Sequence, residues 1–318
     1  MHNTINGATS TNKFFIGIDL HSTNAVVCIK INQLNQNGQI AGKKIWQGRI
    51  SIMDGSDRLI QILEPYCNDT NHIAVVESTY NWYFLADAFE SRGWKLNIAD
   101  PSTVSQANLK SSDDYTDAEY LAERLRTNSL KHYEPLNKNT RAVRDQCRYR
   151  MDLMQRRASC KIKLVNLYRN HLSKKISADN LFKRIESHLT ETFLIAQDLF
   201  KEFTNENTRR EVAMELEQIG LLNRQIQELD ERIRADCKEN ELAALCRSIP
   251  GCGPVLSSIV SSEIGKIERF ATAGNFVSYC RLCPTSKLSN GKSKGLGNAK
   301  NGNAYLSWAL TEIATLCV

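Results

Sequence analysis

Between Leu136 and Ile249 the chain contains no proline and a single glycine, Gly220. Proline removes a backbone donor and clashes with the preceding turn, and glycine costs about 1 kcal/mol in a helix interior, so a stretch this long without them reads as long α-helices. The restriction divides the chain into three parts, with the helices in the middle. The expected domains are residues 1–132, 133–245 and 246–318. A chain of 318 residues has ample material for a sizeable core and for two or three structural units.

Ahead of the helices, strand and helix signals alternate around Phe14-Phe15-Ile16-Gly17-Ile18-Asp19-Leu20. A nearly continuous apolar run reads as a strand covered on both faces, because a half-exposed strand would alternate. Asp19 stands near its end. A carboxylate there is costly unless it is paired or holds a cation. The β-rich run Asn24 to Lys30 follows Leu20-His21-Ser22-Thr23, which predicts a strand pair with its acid near the turn. Lys44 to Met53 predicts a third strand, and Asp57 to Tyr66 a helix stopped by the Pro65 region. Ile73-Ala74-Val75-Val76 is a short buried strand that also ends in an acid, Glu77. Trp82 to Glu90 has helical spacing and is closed by Gly93, and Lys95 to Ala99 makes a further strand. The pattern is an α/β domain with acids at the ends of two core strands, the edge where ligands collect in open α/β sheets.

A third acidic element is Ser111-Ser112-Asp113-Asp114-Tyr115-Thr116-Asp117-Ala118. A helix beginning near Thr116 would put Asp114 and Asp117 on one side of its first turn. Taken alone, acids here serve as helix caps and suit the helix dipole. Taken with Asp19 and Glu77, they become four carboxylates converging from two strands and a helix start, the oxygen donors that hard divalent ions want.

The first long helix, Asn139 to Ser173, carries Arg141, Arg144, Arg148, Arg150, Arg156, Arg157, Lys161, Lys163 and Arg169 against only Asp145 and Asp152. Such density can be a solvated face, but the lopsided sign favours phosphate contact and hence nucleic acid. Ile219, Leu222, Ile226, Leu229 and Ile233 alternate spacings of three and four, a short coiled-coil seam usable within one helical hairpin or between subunits.

The last part opens with Ile249-Pro250-Gly251-Cys252-Gly253-Pro254-Val255, a glycine-flanked turn before a helix from Leu256 to Glu263. Such a turn can offer backbone N–H groups to a DNA phosphate or simply join two helices. From Cys280 to Gly295 the sequence reads as a flexible cationic loop, with Lys287, Lys292 and Lys294 around Ser286, Ser289 and Ser293, and a helix from Asn303 to Ala314 comes next. The ten cysteines are scattered, with Cys280 and Cys283 making the one CxxC pair. A lone pair is weak evidence for zinc, so reduced core thiols are expected. No apolar run approaches the roughly 20 residues that span a bilayer, and Met1 to Lys13 is polar rather than signal-like. The expectation is a protein of the bacterial cytoplasm, associated with the nucleoid and with no membrane partner.

Ile16-Gly17-Ile18-Asp19, Val75-Val76-Glu77-Ser78-Thr79, Asp114-Tyr115-Thr116-Asp117-Ala118, Ile249-Pro250-Gly251, and Leu288-Ser289-Asn290-Gly291-Lys292 through Lys300-Asn301-Gly302-Asn303 occur in an order that resembles the DEDD transposases. That insertion-sequence family includes bridge-RNA-guided recombinases and Piv-type DNA invertases. The resemblance implies a RuvC-like, RNase H-like N-terminal domain whose acids, and Mg²⁺ ligands, are Asp19, Glu77, Asp114 and Asp117. It also implies a helical coiled-coil region and a mainly helical C-terminal transposase domain whose serine nucleophile is Ser289. Where many members have Ser-Gly this chain has Ser289-Asn290, and Arg281-Leu282-Cys283 also departs from the common pattern, which leaves Ser286 as the alternative serine.

The chemistry so implied is DNA strand cutting and rejoining through a phosphoserine link, which keeps the phosphodiester energy that hydrolysis would discard. Donor and target DNA are the expected substrates, a structured bridge RNA the expected guide, and a dimer or tetramer the expected assembly. The candidate nucleic-acid contacts are Arg141, Arg144, Arg148, Arg156, Arg157, Lys287, Lys292 and Lys294. A RuvC-like Holliday-junction nuclease would need the four acids and no serine. A site-specific invertase of the same family is a further alternative, as is a binding protein without turnover. An actin-like ATPase would show a second glycine-rich phosphate loop, and none is evident between residues 60 and 130.

Overall fold

The computed structural model describes residues 13–67, 71–78, 81–100, 113–172, 203–283, 286–289, 292–296 and 302–317. The chain separates into two compact units, Met1–Lys138 and Asn139–Val318.

The first unit is built on a six-stranded sheet. Its strands are β1 (Phe14–Leu20), β2 (Asn24–Leu34), β3 (Ile40–Ser51), β4 (His72–Glu77), β5 (Leu96–Ala99) and β6 (His132–Tyr133), in the order β3-β2-β1-β4-β5-β6. The first three form an antiparallel meander, β4 and β5 run parallel to β1, and β6 closes the edge antiparallel to β5. The long apolar run of β1 is explained by its central place. Ile16, Ile18 and Leu20 pack toward Leu59 and Leu63 of α1 (Asp57–Cys67) and Leu85 and Phe89 of α2 (Tyr83–Glu90). The alternate residues face α3 (Asp114–Arg126): Phe15 packs with Leu121 and Leu125, and Val26 and Cys28 of β2 pack with Ala118 and Ala122. Successive side chains of a strand point to opposite faces. Gly17 and Asp19 therefore lie on the α3 face.

Helix α1 ends at Cys67, two residues past Pro65 and one past the expected end at Tyr66. Standing in the last turn, Pro65 forfeits one hydrogen bond and leaves few further turns to disrupt. One local expectation is corrected here. The acidic helix starts at Asp114 rather than near Thr116, because Asp113 takes the cap: its Oδ1 accepts from the Thr116 backbone N at 2.7 Å. The cap reading and the cluster reading thus fall on different residues.

In the second unit, α4 (Lys138–Leu172) packs on α5 (Glu206–Lys238). Leu153, Cys160, Leu164, Val165 and Tyr168 meet Val212, Ile219, Leu222 and Ile226. Most of the periodic seam on α5 is thus buried within the chain. A second core joins Cys147, Met151 and Ile233 to α6 (Glu241–Cys246), α7 (Pro254–Ile264) and α9 (Ala304–Leu316), with Phe276 and Tyr279 of α8 (Ala273–Tyr279) packed against it. The helical region and the C-terminal part therefore share a core. The segment expected to be a flexible loop instead contains an antiparallel hairpin of β7 (Ser286–Ser289) and β8 (Lys292–Leu296), with Ser289 paired to Lys292. Asn290-Gly291, between them in sequence, is a dipeptide strongly favoured in two-residue hairpin turns.

Candidate active site

The site grows from the parallel pairing of β1 with β4. Ile18 pairs with Val76, so the next residues along each strand are Asp19 and Glu77. Parity puts both on the face that α3 covers, and α3 brings Asp114 and Asp117 in its first turn. Asp19 is buried, whereas Glu77, Asp114 and Asp117 are half-buried.

Gly17 allows the helix to come this close. A β carbon there would lie 2.3 Å from the Ala118 carbonyl oxygen and 2.5 Å from the Ala122 nitrogen. Any side chain would push α3 off the strand.

His21 and Arg49 join the acids. His21 Nε2 stands 3.0 Å from Asp19 Oδ2 and 3.3 Å from Asp114 Oδ1. The other oxygen of Asp114 accepts from Arg49 Nη2 at 2.6 Å, and the Arg49 guanidinium lies over the Tyr115 ring. The His21 carbonyl accepts from Asn81 Nδ2 at 2.6 Å, which fixes the turn. Burial pushes the Asp19 carboxyl above the usual carboxylate range; His21 opposes this, while Asp114, Asp117 and Glu77 add to it. The other three predicted acids therefore all act electrostatically on Asp19.

These residues fit a divalent cation. Donor atoms of Asp19, His21 and Asp114 lie within 4.8 Å of one another, and a buried carboxylate crowded by like charges is relieved by a cation. His21 and Arg49 were missed in the sequence. The one signal for His21 was its place two residues after Asp19; Arg49, on β3, offered none.

The predicted nucleic-acid contacts divide sharply. Arg141 is buried, and Arg144 is largely so, 3.7 Å from Asp145. Arg148 forms a two-pronged pair with Glu263, and Arg157 donates to Asn223 Oδ1 at 2.8 Å. Arg156 projects into solvent, paired to Asp152 one turn away. Lys287 and Ser289 are on β7 and Lys292 and Lys294 on β8, but their side chains lie outside the described residues. Cys280 is fully buried, and burial pushes its thiol up to about 11, as suits a core thiol. Among the described residues no helix is long and apolar enough to cross a membrane.

A mixed sheet whose adjacent parallel strands bring acids to one edge, met there by acids from a helix start, is consistent with a RuvC-like DEDD domain. Residues 16–175, which include all four acids, match the family model of DEDD transposases of the IS110 type, and residues 243–318 match the model described as the transposase IS116/IS110/IS902 family. The chain belongs to the IS110/IS116 family of DEDD transposases, DNA-cutting enzymes that bind DNA and act in transposition. It is similar to the transposase for insertion sequence element IS1328 of Yersinia enterocolitica, 22% identical over 250 residues that make up 76% of this chain and 70% of the relative. Another similar protein is the insertion element IS116 uncharacterized 44.8 kDa protein of Streptomyces clavuligerus, 26% identical over 91 residues, or 29% of this chain and 23% of that protein.

Proposed function

We propose that this transposase cuts and rejoins DNA through a phosphoserine intermediate on Ser289, with Asp19, Glu77, Asp114 and Asp117 as ligands of Mg²⁺. The observation that carries the metal half is the convergence of Asp19 and Asp114 on His21 beside Glu77 and Asp117. The serine half is supported by the motif around Ser289, which falls inside the second matched segment. A bound divalent ion would neutralise the scissile phosphate and favour the serine alkoxide. The chain's own residues do the rest. The Ser289 Oγ–P bond forms as one P–O bond of the strand breaks, the strand leaves with a free hydroxyl, and the serine proton passes to that oxygen. Attack by another strand's hydroxyl reverses the step and joins new partners. Arg49, seated on Asp114, supplies positive charge beside the acids.

The division into residues 1–132, 133–245 and 246–318 is then one of roles: acids, nucleic-acid and subunit contacts, and serine. The seam on α5 serves as a coiled coil, donor and target DNA are held by a structured bridge RNA, and the assembly is a dimer or tetramer. Incubation with a nicked suicide substrate and Mg²⁺ tests the reading. Wild type should yield a protein–DNA adduct that maps to Ser289, Ser289→Ala should bind DNA and yield none, and Asp19→Ala should neither cleave nor trap. Free DNA ends released at the normal rate by Ser289→Ala would replace this reading with a junction nuclease that uses activated water.

A further inference from the structure

We propose that Glu263, Arg148 and Asn303 form a clasp that positions the β7–β8 hairpin for reaction, an inference that rests on the reading of Ser289 as nucleophile. The chain leaves the helical core after α8 and returns at α9, and the hairpin lies between these roots. They are tied together directly: Asn303 N donates to the Tyr279 carbonyl at 2.6 Å, and Arg281 Nε donates to the Gly302 carbonyl at 2.9 Å. The approach is tight enough that a β carbon on Gly302 would meet the Tyr279 oxygen at 2.4 Å, and Gly302 has φ of 91°. Arg281 also adopts positive φ, at 58°. At the departing end Arg281 is thus held in a backbone geometry that its contacts must maintain, while at the returning end glycine supplies the positive φ and the room for close approach.

The Asn303 side chain ties this root to Glu263 at the end of α7, whose side chain is only 2% exposed. Arg148 Nε and Nη2 donate to its two oxygens at 2.6 and 2.8 Å, and Asn303 Nδ2 donates to Oε2 at 2.7 Å. The same Asn303 caps α9, its Oδ1 accepting from Tyr305 N at 2.9 Å and Leu306 N at 3.0 Å. The Arg148 guanidinium lies 4.7 Å from the centre of the Tyr305 ring. One buried carboxylate therefore fixes α4, α7 and the root of the hairpin together. A buried ion pair adds little stability over a well-packed apolar set of the same volume, whereas its directional bonds specify one geometry. What the clasp specifies is where the hairpin emerges.

Two variants test this. Asn303→Ser retains a capping oxygen but loses the donor to Glu263, and Glu263→Gln retains the shape but loses the charge. Three quantities are read: adduct formation at saturating DNA, DNA affinity, and amide exchange over Ser286–Ser289 and Lys292–Leu296. Both variants should bind DNA with the wild-type Kd, form adduct about ten- to a hundredfold more slowly, and exchange faster in the hairpin but not in the α4–α5 core. Wild-type adduct rates, or unchanged hairpin exchange, would overturn the clasp. Global melting of both variants with loss of DNA binding would also overturn it, leaving Glu263 a structural group. If the wild type cleaves without forming an adduct, the serine reading fails on its own, and hairpin exchange alone decides whether the clasp stands.

Discussion

Gly17 and Ala118 touch so closely that the strand and the acidic helix share a single surface, leaving 2.3 Å between the Ala118 oxygen and the place a Gly17 side chain would begin. Gly17 precedes Asp19 by two residues on the same face, so the contact that seats α3 also sets the separation of Asp19 from Asp114.

Gly17→Ala should therefore damage the site without touching any acid. The atoms in the way are backbone and cannot rotate aside, so the cost should reach the upper part of the about 1–3 kcal/mol typical of overpacking. The expected outcome is a lower urea midpoint together with weakened Mg²⁺ binding by calorimetry and lost strand cleavage. Wild-type stability and metal affinity in this variant would show that α3 is not seated by the glycine.

How much of this was legible beforehand depends on where each signal resides. The strands around Asp19 and Glu77 and the helix behind Asp114 could be read because apolar runs and acid spacing are local. Partners distant in sequence could not. Arg49 meets Asp114 across 65 residues, and Arg148 meets Glu263 across 115, so a helix rich in arginine looked like a uniform basic face when part of it is buried or paired inside the fold. The strands beside Ser289 were read as a flexible loop because lysines and glycines hid them, although Ser289-Asn290-Gly291-Lys292 contains a dipeptide favoured in hairpin turns.

Acid should loosen the first unit through Glu123. Arg126 holds the Glu123 carboxyl down at about 2, against burial and with help from Lys30, which is itself buried and lies 3.0 Å from both Glu119 and Glu123. A folded-state pKa below the unfolded one contributes stability that is present above the unfolded value and disappears as the carboxylate protonates. The contribution should be complete above about pH 5 and fade between 4.5 and about 2. Glu123→Gln should accordingly unfold at lower urea than wild type at pH 7, with the two midpoints converging as pH falls through that window. Parallel curves at all pH values would show that Glu123 contributes nothing through its charge.

Thiol labelling should discriminate sharply among the cysteines. Burial pushes Cys67 and Cys147 up to about 12 and Cys28 and Cys252 up to about 11, whereas Cys317 is exposed. The thiolate is the nucleophile, so at pH 8 the buried group should be inert to iodoacetamide while Cys317 reacts. Mass mapping that found Cys28 modified in the native protein would mean that α3 lifts from the sheet often enough to expose it.

The basic helix should separate into two kinds of arginine. Arg148→Ala strands the Glu263 carboxylate in the core, and removing one partner of a buried pair costs about 3–5 kcal/mol. Because Arg148 itself is 35% exposed, the loss should fall at the lower end, and it should appear as a reduced melting temperature in the absence of any nucleic acid. Arg156 is 61% exposed and held only by Asp152 on the next turn, a pair worth about 0.3–0.5 kcal/mol, so Arg156→Ala should melt almost as wild type does. If Arg156 contacts a phosphate, its loss should instead lower the slope of log affinity against log salt by about 0.7 to 0.9. A variant carrying both changes should show the two effects independently, since one residue is engaged by Glu263 and the other faces solvent. An unchanged salt slope in Arg156→Ala would remove this residue from the nucleic-acid surface and confine phosphate contact on α4 to its other exposed cations, such as Lys163 and Arg169.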